Sequence, residues 1–197
     1  MEQKKQQALI SNIDLAQKNI SKLLDMVVDL SKIELGELVI KYEPFDFHGF
    51  LTRIDEVLKA QNASKNRNIT LLIDSSVPHF IIGDEIRIQQ FLVALCENIH
   101  ELYAMKNIRL TVKVHSHHLN TTTLLFIFTE HDDVRIENTA PFVEYISRDI
   151  SQYSTQMAMA KEVWQLMGGD ISLGITNSGE KILTAAIKIN QTTNEQQ

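Results

Sequence analysis

The sequence is poor in cysteine, proline and glycine, with one, three and seven of them in 197 residues. The single cysteine, Cys96, excludes an internal disulfide framework and is typical of a reducing compartment. No apolar run approaches the ~20 residues of a membrane-spanning helix, and no signal peptide opens the chain. Lys and Arg number 19 against 25 Asp and Glu, so the net charge is −6, which disfavours binding to a nucleic-acid backbone. We therefore expect a cytoplasmic protein without nucleic-acid or membrane contacts.

The seven glycines are unevenly placed, and none lies between Gly83 and Gly168. A loop that cradles phosphate normally needs glycine, because backbone N–H groups must approach the anion closely. Any phosphate-binding loop in this interval would have to work without glycine.

The N-terminal stretch has neither Pro nor Gly before Gly36 and predicts one long helix, from residue 2 to about residue 35. Its apolar residues follow coiled-coil spacing over about three heptads, and we expect them to form a dimer interface: Leu9, Ile13, Ala16, Ile20, Leu23, Val27 and Leu30. Leu24, Met26 and Val28 widen this face, which suits half of a four-helix bundle. Gly36 is the expected C′ residue. Packing of the helix against the chain's own globular domain is the alternative.

The remainder of the chain predicts strands and helices in an alternating order. Hydrophobic periodicity and turn residues predict helices at 46–66, 85–104 and 155–167 and strands at 38–47, 69–73, 80–82, 108–114, 123–128, 170–175 and 182–189. The first strand contains Pro44 and should lie at an edge, and Asp84 should cap the second helix. A polar turn is expected at 115–122 and an irregular segment at 129–152. This order predicts an α+β fold, in which a mixed sheet carries its helices on one face.

Four stretches together carry a family resemblance: Leu30–Leu38, Glu43–Phe47, Gly83–Gln90 and Leu166–Ile171. They resemble, in that order, four parts of the sensor histidine kinases of two-component signalling, hybrid type. These parts are the end of the second dimerisation helix, the linker into the catalytic domain, the start of the N-box helix and the end of the helix after the ATP lid. The resemblance implies a dimerisation helix at 1–37, an ATP-binding-like α/β sandwich at 38–190 and a disordered tail at 191–197.

The N box of that family is only half kept here. Asn98 stands where the family's second asparagine holds Mg²⁺, but Ala94 replaces the first asparagine and Glu101 replaces a lysine. A carboxylate ~6 Å from a phosphate costs on the order of 2–3 kcal/mol at an effective dielectric constant of ~20. The family's phosphoacceptor histidine would precede residue 1, and we expect no catalytic residue in this chain.

Both glycine boxes of the family are also replaced. Glu130 is the candidate for the family's adenine-reading carboxylate, but no glycine follows it. The three alternate glycines of the second box correspond to Gln152, Ser154 and Gln156. We therefore expect no cofactor, whereas Mg-ATP would bind through Asn98 and Glu130 if the site still works.

These departures predict a degenerate histidine-kinase core, a pseudokinase that acts through protein contacts in a phosphorelay. The expected partner is a second copy or another histidine kinase, paired through the N-terminal helix, and a response regulator is a further candidate. The alternative is the catalytic fragment of a working hybrid kinase, which binds Mg-ATP and phosphorylates a histidine outside this chain. A phosphotransferase that borrowed the fold is a third interpretation. Sensor and receiver regions are expected elsewhere, and the chain could be the cytoplasmic part of a membrane-bound sensor.

Three histidines lie close together in the sequence: His115, His117 and His118. They could ligate a metal, because alternate residues of a strand, such as His115 and His117, share a face. The sequence supplies no clear third ligand to complete such a site. Cys96 and Trp164 lie on apolar helix patterns and are expected to fill the core.

Overall fold

The computed structural model describes residues 6, 13, 17, 21, 24, 27–63, 66–103, 106–118, 121–130, 144–145, 154–175 and 179–191. Side chains are described for all of these except residues 100–103, 118, 144–145 and 191. The chain divides into two compact units, Met1–Val39 and Ile40–Gln197. Within the described ranges, every helix is too short or too polar to span a bilayer.

The first unit contains helix α1, which is described over residues 27–34, together with single helical residues at positions 6, 13, 17, 21 and 24. The helix ends in a Schellman motif: the Gly36 N–H donates to the Ile33 carbonyl at 3.0 Å and the Glu37 N–H to the Lys32 carbonyl at 2.8 Å. Gly36 has φ +68°, which confirms it as the C′ residue. The long helix predicted from residue 2 is not confirmed, because most of that stretch lies outside the described residues.

The second unit alternates strands and helices from its first strand onward. Its elements are β1 (Glu43–Asp46), α2 (Phe47–Ala63), β2 (Asn68–Ile73), β3 (Phe80–Gly83), α3 (Glu85–Tyr103), β4 (Asn107–His118), β5 (Thr121–Thr129), β6 (Glu144–Tyr145), α4 (Thr155–Leu166), β7 (Asp170–Ile175) and β8 (Lys181–Gln191). The α+β class expected from the sequence is confirmed.

The strands form one mixed sheet in the order β1-β3-β8-β5-β4-β2. The pair β2–β4 is parallel, and the other pairs are antiparallel. β8 pairs with β5 along one side, and with β7 and β3 along the other. β1 lies at the edge, which is where Pro44 is tolerated, because proline has no N–H to donate to a neighbouring strand.

The core lies between the helices and one face of the sheet. Along β5, Leu124, Phe126 and Phe128 are fully buried, whereas the alternate residues Thr123 and Leu125 are half-buried. Aromatic contacts join this face to the helices: the Phe126 ring lies 6.4 Å from Phe47 on α2 and 5.9 Å from Trp164 on α4, centroid to centroid. Trp164 in turn stacks on Phe91 of α3 at 3.9 Å. All three helices therefore pack on the same face.

Trp164 also explains the two glycines that follow α4. Its indole Nε1–H lies 3.0 Å from the Ala186 carbonyl and 3.3 Å from the Asp170 carbonyl. A Cβ at Gly169 would collide with the indole ring, and Gly168 has φ +79° with open space around it. The first glycine turns the chain in the left-handed region, and the second lets the backbone pass the indole.

Three predicted boundaries are wrong. The edge strand expected at 38–47 is only Glu43–Asp46. The polar turn expected at 115–122 is mostly strand, because β4 runs to His118 and β5 begins at Thr121, with a bulge between Val114 and Ser116. The segment at 129–152 contains β6, which pairs with β7. The predicted tail lies outside the described residues except for Gln191, which ends β8.

Candidate functional site

Helix α3 carries Asn98, and Asp84 places the start of this helix. Asp84 Oδ1 accepts the Arg87 N–H at 3.1 Å, and the Asp84 carbonyl accepts the Ile88 N–H at 3.0 Å. This is N-capping as the sequence predicts. The apolar face of α3 is fully buried, which fixes the rotation of the helix: Ile88, Phe91, Leu92, Leu95 and Ile99.

The Asn98 side chain is held against its own helix. Its Nδ2 donates to the Ala94 carbonyl at 2.7 Å, and the residue is only 7% exposed. The amide oxygen is the atom that a hard cation such as Mg²⁺ would use. Ala94, one turn earlier and 1% exposed, offers only a methyl group. The Glu101 side chain lies outside the described part of the chain.

Glu130 directly follows β5 and closes the end of a strand pair. Its Oε1 accepts the backbone N–H of Lys106, just before β4, at 3.2 Å. The carboxylate thus joins the end of β5 to the beginning of β4, beside the ladder pair Arg109–Thr129. One of the two carboxylate oxygens therefore accepts a backbone hydrogen bond and is not free to contact an adenine base.

Ser154 is the N-cap of α4. It has extended backbone angles (φ −163°, ψ 154°), and its hydroxyl accepts the Met157 N–H at 3.0 Å. Of the other two positions where the resemblance places glycine, Gln156 is half-buried in the first turn of α4 and Gln152 lies outside the described residues. The described part of the second glycine box is therefore an ordinary helix start.

The predicted site residues do not form one cluster of interacting side chains. Asn98, Glu130 and Ser154 lie on or beside three different elements, and in the described part of the chain no hydrogen bond joins any two of them. Each is bonded to nearby backbone instead. The arrangement can cap and close elements, and it leaves the Asn98 amide oxygen and the second carboxylate oxygen of Glu130, on separate elements, as atoms of the kind that Mg²⁺ prefers.

Within the described residues, His115 and His117 of β4 do not form a metal centre with other ligands. His115 and His117 are exposed, and His117 Nδ1 lies 3.0 Å from Thr122 Oγ1 across the hairpin. Among the described side chains, no group of three His, Cys, Asp or Glu residues is arranged to hold a metal. The His118 side chain is outside this set.

Cys96 and Trp164 lie in the core as expected, both with no exposed surface. Burial, and to a smaller degree the nearby charge of Glu97, raises the pKa of the Cys96 thiol far above its ordinary value. The thiol therefore stays protonated and unreactive in the folded chain.

Only three of the predicted dimer-interface residues are among the residues that the structure describes. Ile13 is 62% exposed and Val27 60% exposed, and Leu30 is half-buried. Two neighbours on the widened face, Leu24 and Val28, are 61% and 52% exposed. The other predicted members lie outside the described residues: Leu9, Ala16, Ile20 and Leu23. The described members of this apolar face, except Leu30, are therefore exposed.

The sequence did not predict a second hydrogen bond that Asp84, the cap of α3, makes. Asp84 Oδ2 accepts the backbone N–H of Lys41 at 3.1 Å, across 43 positions of sequence. A capping motif reveals the local bond to Arg87, but no local pattern reveals a backbone donor so far away.

The sequence matches known kinases over parts of their length. No protein-family profile matches the chain. The signal transduction histidine-protein kinase BarA of Escherichia coli (strain K12) is 30% identical over 104 residues, which cover 53% of this chain and 11% of BarA. Hybrid signal transduction histidine kinase F of Dictyostelium discoideum is 26% identical over 161 residues, which cover 78% of this chain and 14% of that kinase. The chain thus spans a small part of these relatives.

Solved structures resemble the chain over most of its length. The Acinetobacter baumannii histidine kinase AdeS superposes with a TM-score of 0.59 at 17% identity, over 88% of this chain and 80% of AdeS. The ATP-binding domain of PrrB from Mycobacterium tuberculosis superposes with a TM-score of 0.50 at 16% identity, over 77% of this chain and 98% of that domain. At such identities the likeness establishes the fold.

Proposed function

Since the chain is a relative of the sensor histidine kinases, and its larger unit has the fold of their ATP-binding domain, we propose that it is a degenerate kinase core. In this proposal the ATP-binding-like unit holds no nucleotide and acts as a protein-binding module in two-component signalling. The chain transfers no phosphoryl group itself, and it influences a phosphorelay through the kinase or regulator with which it associates.

The state of Asn98 carries this proposal. In a Mg²⁺ site the amide must turn its oxygen to the cation, and a second polar ligand one turn away helps to order the bound water. Here the Asn98 amide nitrogen is anchored on the Ala94 carbonyl at 2.7 Å, and a methyl group stands at the second position. Of the two positions 94 and 98, only Asn98 offers a ligand to a metal ion.

The remaining candidate contacts support the same conclusion. Glu130 shares its carboxylate with the Lys106 N–H, and the Ser154 hydroxyl is used by the Met157 N–H. No glycine between Gly83 and Gly168 provides the bare backbone that a phosphate chain normally requires. Glu130 and Ser154 thus each bond to backbone, and the interval between Gly83 and Gly168 lacks the glycine that a phosphate-binding loop normally contains.

The proposed mode of action uses the apolar face of the first unit. Exposed Ile13, Leu24 and Val27 recur at intervals that place them on one side of a helix. Burying such residues against a partner helix stabilises association by roughly 1.5–3 kcal/mol for each side chain. We propose a second copy or another histidine kinase as the partner on this face, and a response regulator as a further one.

Calorimetric titration of the whole chain with ATP and Mg²⁺ tests the proposal. We expect no saturable heat and no thermal shift at millimolar nucleotide. Saturable micromolar binding that Asn98→Ala abolishes would contradict it. Binding that survives Asn98→Ala would contradict it too, and would place the nucleotide elsewhere in the chain. Asn62→Ala serves as the matched control, because Asn62 makes the same bond to the carbonyl four residues earlier, at 2.7 Å, on α2.

A working catalytic fragment is the second candidate, and one observation favours it. Asn98 remains at the end of α3 with an amide oxygen that no described group engages. If the titration shows micromolar Mg-ATP binding through Asn98, the same chain should be mixed with a kinase dimerisation domain that carries histidine. Transfer of radiolabel from ATP to that histidine would establish the activity.

A further inference from the structure

Strand β2 (Asn68–Ile73) lies at one end of the strand order and pairs with a single strand, β4, in parallel. Just beyond its end, the Asp74 N–H donates to the Val112 carbonyl of β4 at 2.9 Å. Because alternate residues of a strand direct their N–H and C=O groups to opposite sides, the even-numbered positions of β2 bond to β4. The remaining N–H and C=O groups point away from β4, and no described residue bonds to them: those of Ile69, Leu71 and Ile73. We call this row of groups the β2 edge.

The β2 edge lacks the features that usually protect the end of a sheet, which are charged side chains, proline or a bulge. At the other end of the strand order, β1 has two carboxylates and a proline among its four residues (Glu43–Asp46). β2 has neither a charge nor a proline, and its register with β4 is unbroken. Thr70 is exposed, and Leu72 and Ile73 are 42% and 36% exposed. The strand can therefore accept a further strand as a neighbour.

The charges that flank β2 indicate which strand this neighbour is. Arg67 precedes β2 and Asp74 follows it, and Asp74 accepts both hydrogen bonds from Ser76 on Oδ1, which leaves Oδ2 outside these bonds. Two antiparallel copies of β2 bring the Arg67 end of each copy to the Asp74 end of the other, so opposite charges meet twice. Parallel copies would bring like charges together, which is unfavourable. Charge complementarity thus favours a second copy of this chain, in antiparallel orientation.

We propose that the β2 edge is a self-association surface, on which two copies of the chain join their sheets about a two-fold axis at Leu71. In this register Ile69 of one copy lies opposite Ile73 of the other, and Thr70 lies opposite Leu72. The outward-facing residues then form the hydrogen-bonded pairs of an antiparallel ladder, with two bonds in each pair. A slip by one residue would place core-facing side chains opposite solvent-facing ones, so the pattern of faces favours this register.

This surface is separate from the apolar face of the first unit, and it requires neither that face nor nucleotide. The inference therefore goes beyond the proposed function and stands or falls separately. One short strand from each copy makes a small contact, so we expect the pairing to be weak and to depend on concentration.

Disulfide trapping on the full 197-residue chain tests the pairing. Opposite residues that are not hydrogen-bonded to each other have Cα atoms about 4.5 Å apart, which is within reach of a disulfide. The double variant Thr70→Cys, Leu72→Cys should therefore form a disulfide between position 70 of one copy and position 72 of the other in oxidised glutathione. Cys96 has no exposed surface and should not take part. Non-reducing electrophoresis measures the linked dimer, and peptide mass spectrometry identifies the linked positions.

The two single variants are the matched controls. In the proposed register, position 70 of one copy lies roughly 8 Å from position 70 of the other, and the same holds for position 72. These distances exceed the reach of a disulfide, so we expect at least about tenfold less linked dimer from Thr70→Cys or Leu72→Cys alone. Adding Ile73→Pro to the double variant removes one outward N–H and leaves the bonds to β4 intact. It should lower linkage about tenfold.

A further substitution separates this proposal from pairing through the first unit. Val27→Lys should leave the ratio of linked dimer between the double and single variants unchanged, because Val27 lies outside the β2 edge. The proposal is overturned if the double variant links no more than the single variants, or if the linked positions are other than 70 and 72. It is also overturned if Val27→Lys removes the difference between the double and single variants.

Discussion

The indole of Trp164 leaves no room for a side chain at residue 169. Because a Cβ at Gly169 would meet the indole nitrogen and its neighbouring carbons, Gly169→Ala must push the ring away from Phe91 and weaken its bonds to the two carbonyls. We expect a loss of about 3 kcal/mol in the free energy of unfolding, typical of an overpacked core, and a changed Trp164 fluorescence spectrum. Urea unfolding followed by fluorescence measures both.

The neighbouring glycine provides the control for this prediction. Gly168→Ala meets open space but carries φ +79°, so it should cost about 1 kcal/mol of left-handed backbone strain. The Trp164 spectrum of the folded protein should stay unchanged. Equal spectra for the two variants would contradict the assignment of the indole as the group that excludes a side chain at 169.

The hydrogen bonds that Asp74 accepts predict that the free energy of unfolding depends on pH. Its Oδ1 accepts the Ser76 hydroxyl at 2.6 Å and the Ser76 N–H at 2.9 Å, and these bonds, with the charge of Lys113, lower the pKa of the Asp74 carboxyl. The stabilisation is therefore present above the unfolded pKa of about 4 and is lost as pH falls through the lower folded value.

Ser76→Ala tests this dependence, because it removes the bond that contributes most to the shift. We expect a lower urea midpoint at pH 7 and a difference from the parent chain that shrinks as pH falls below the unfolded pKa of about 4. Ser75→Ala, at the adjacent exposed position, should show no such change with pH. A difference that is constant down to pH 2 would contradict the role of the Asp74 carboxylate.

Single residues also show how far sequence reasoning reaches. The burial of Cys96 and Trp164 follows from helical spacing, because the apolar face of an amphipathic helix packs against the core. The bonding partner of Asn98 does not follow, because a helical asparagine can turn to solvent, to a ligand or to the carbonyl four residues earlier. The second bond of Asp84 depends on tertiary packing, which local sequence does not encode.

Helices and strands are predictable from sequence where the periodicity of their hydrophobic residues is strong. Helix α2 is expected at 46–66 and runs from Phe47 to Ala63, and α4 is expected at 155–167 and runs from Thr155 to Leu166. The end of β4 escapes prediction because His115 and His117 are exposed, and exposed polar residues in a strand resemble a turn. β6 has two residues and exists through pairing with β7, so its own sequence carries no signal. The parallel pairing of β2 with β4 is likewise beyond a local pattern.

Helix α4 depends on its cap for its first turn. Ser154→Ala should cost about 1 kcal/mol, as is usual when a capping hydroxyl is removed, and should speed amide exchange at Met157. Ser154→Asn should stay close to the parent chain, because asparagine caps equally well. If both variants behave alike, the Ser154 hydroxyl does not stabilise the helix start.

At the scale of the whole molecule, the proposed pairing through the exposed apolar residues of the first unit predicts how the chain assembles in solution. Val27→Lys should shift the chain towards monomer, with the dissociation constant raised by at least about tenfold, because pairing would bury an ammonium group in an apolar interface. Analytical ultracentrifugation over a range of concentrations measures this. Val39→Lys is the matched control, since Val39 is 75% exposed and lies outside the predicted seam. Equal weakening by both substitutions would contradict pairing through that seam.

The position of β8 in the sheet also bears on how the chain is made. β8 follows β3, β5 and β7 along the chain and pairs with all three of them, so this part of the sheet closes only after those strands have been synthesised. At roughly 5–20 residues per second, the edges of β5 and β3 wait unpaired for several seconds after they emerge. Until β8 arrives, these apolar strands need shielding, and a nascent chain stalled before residue 181 would be a natural client for chaperones.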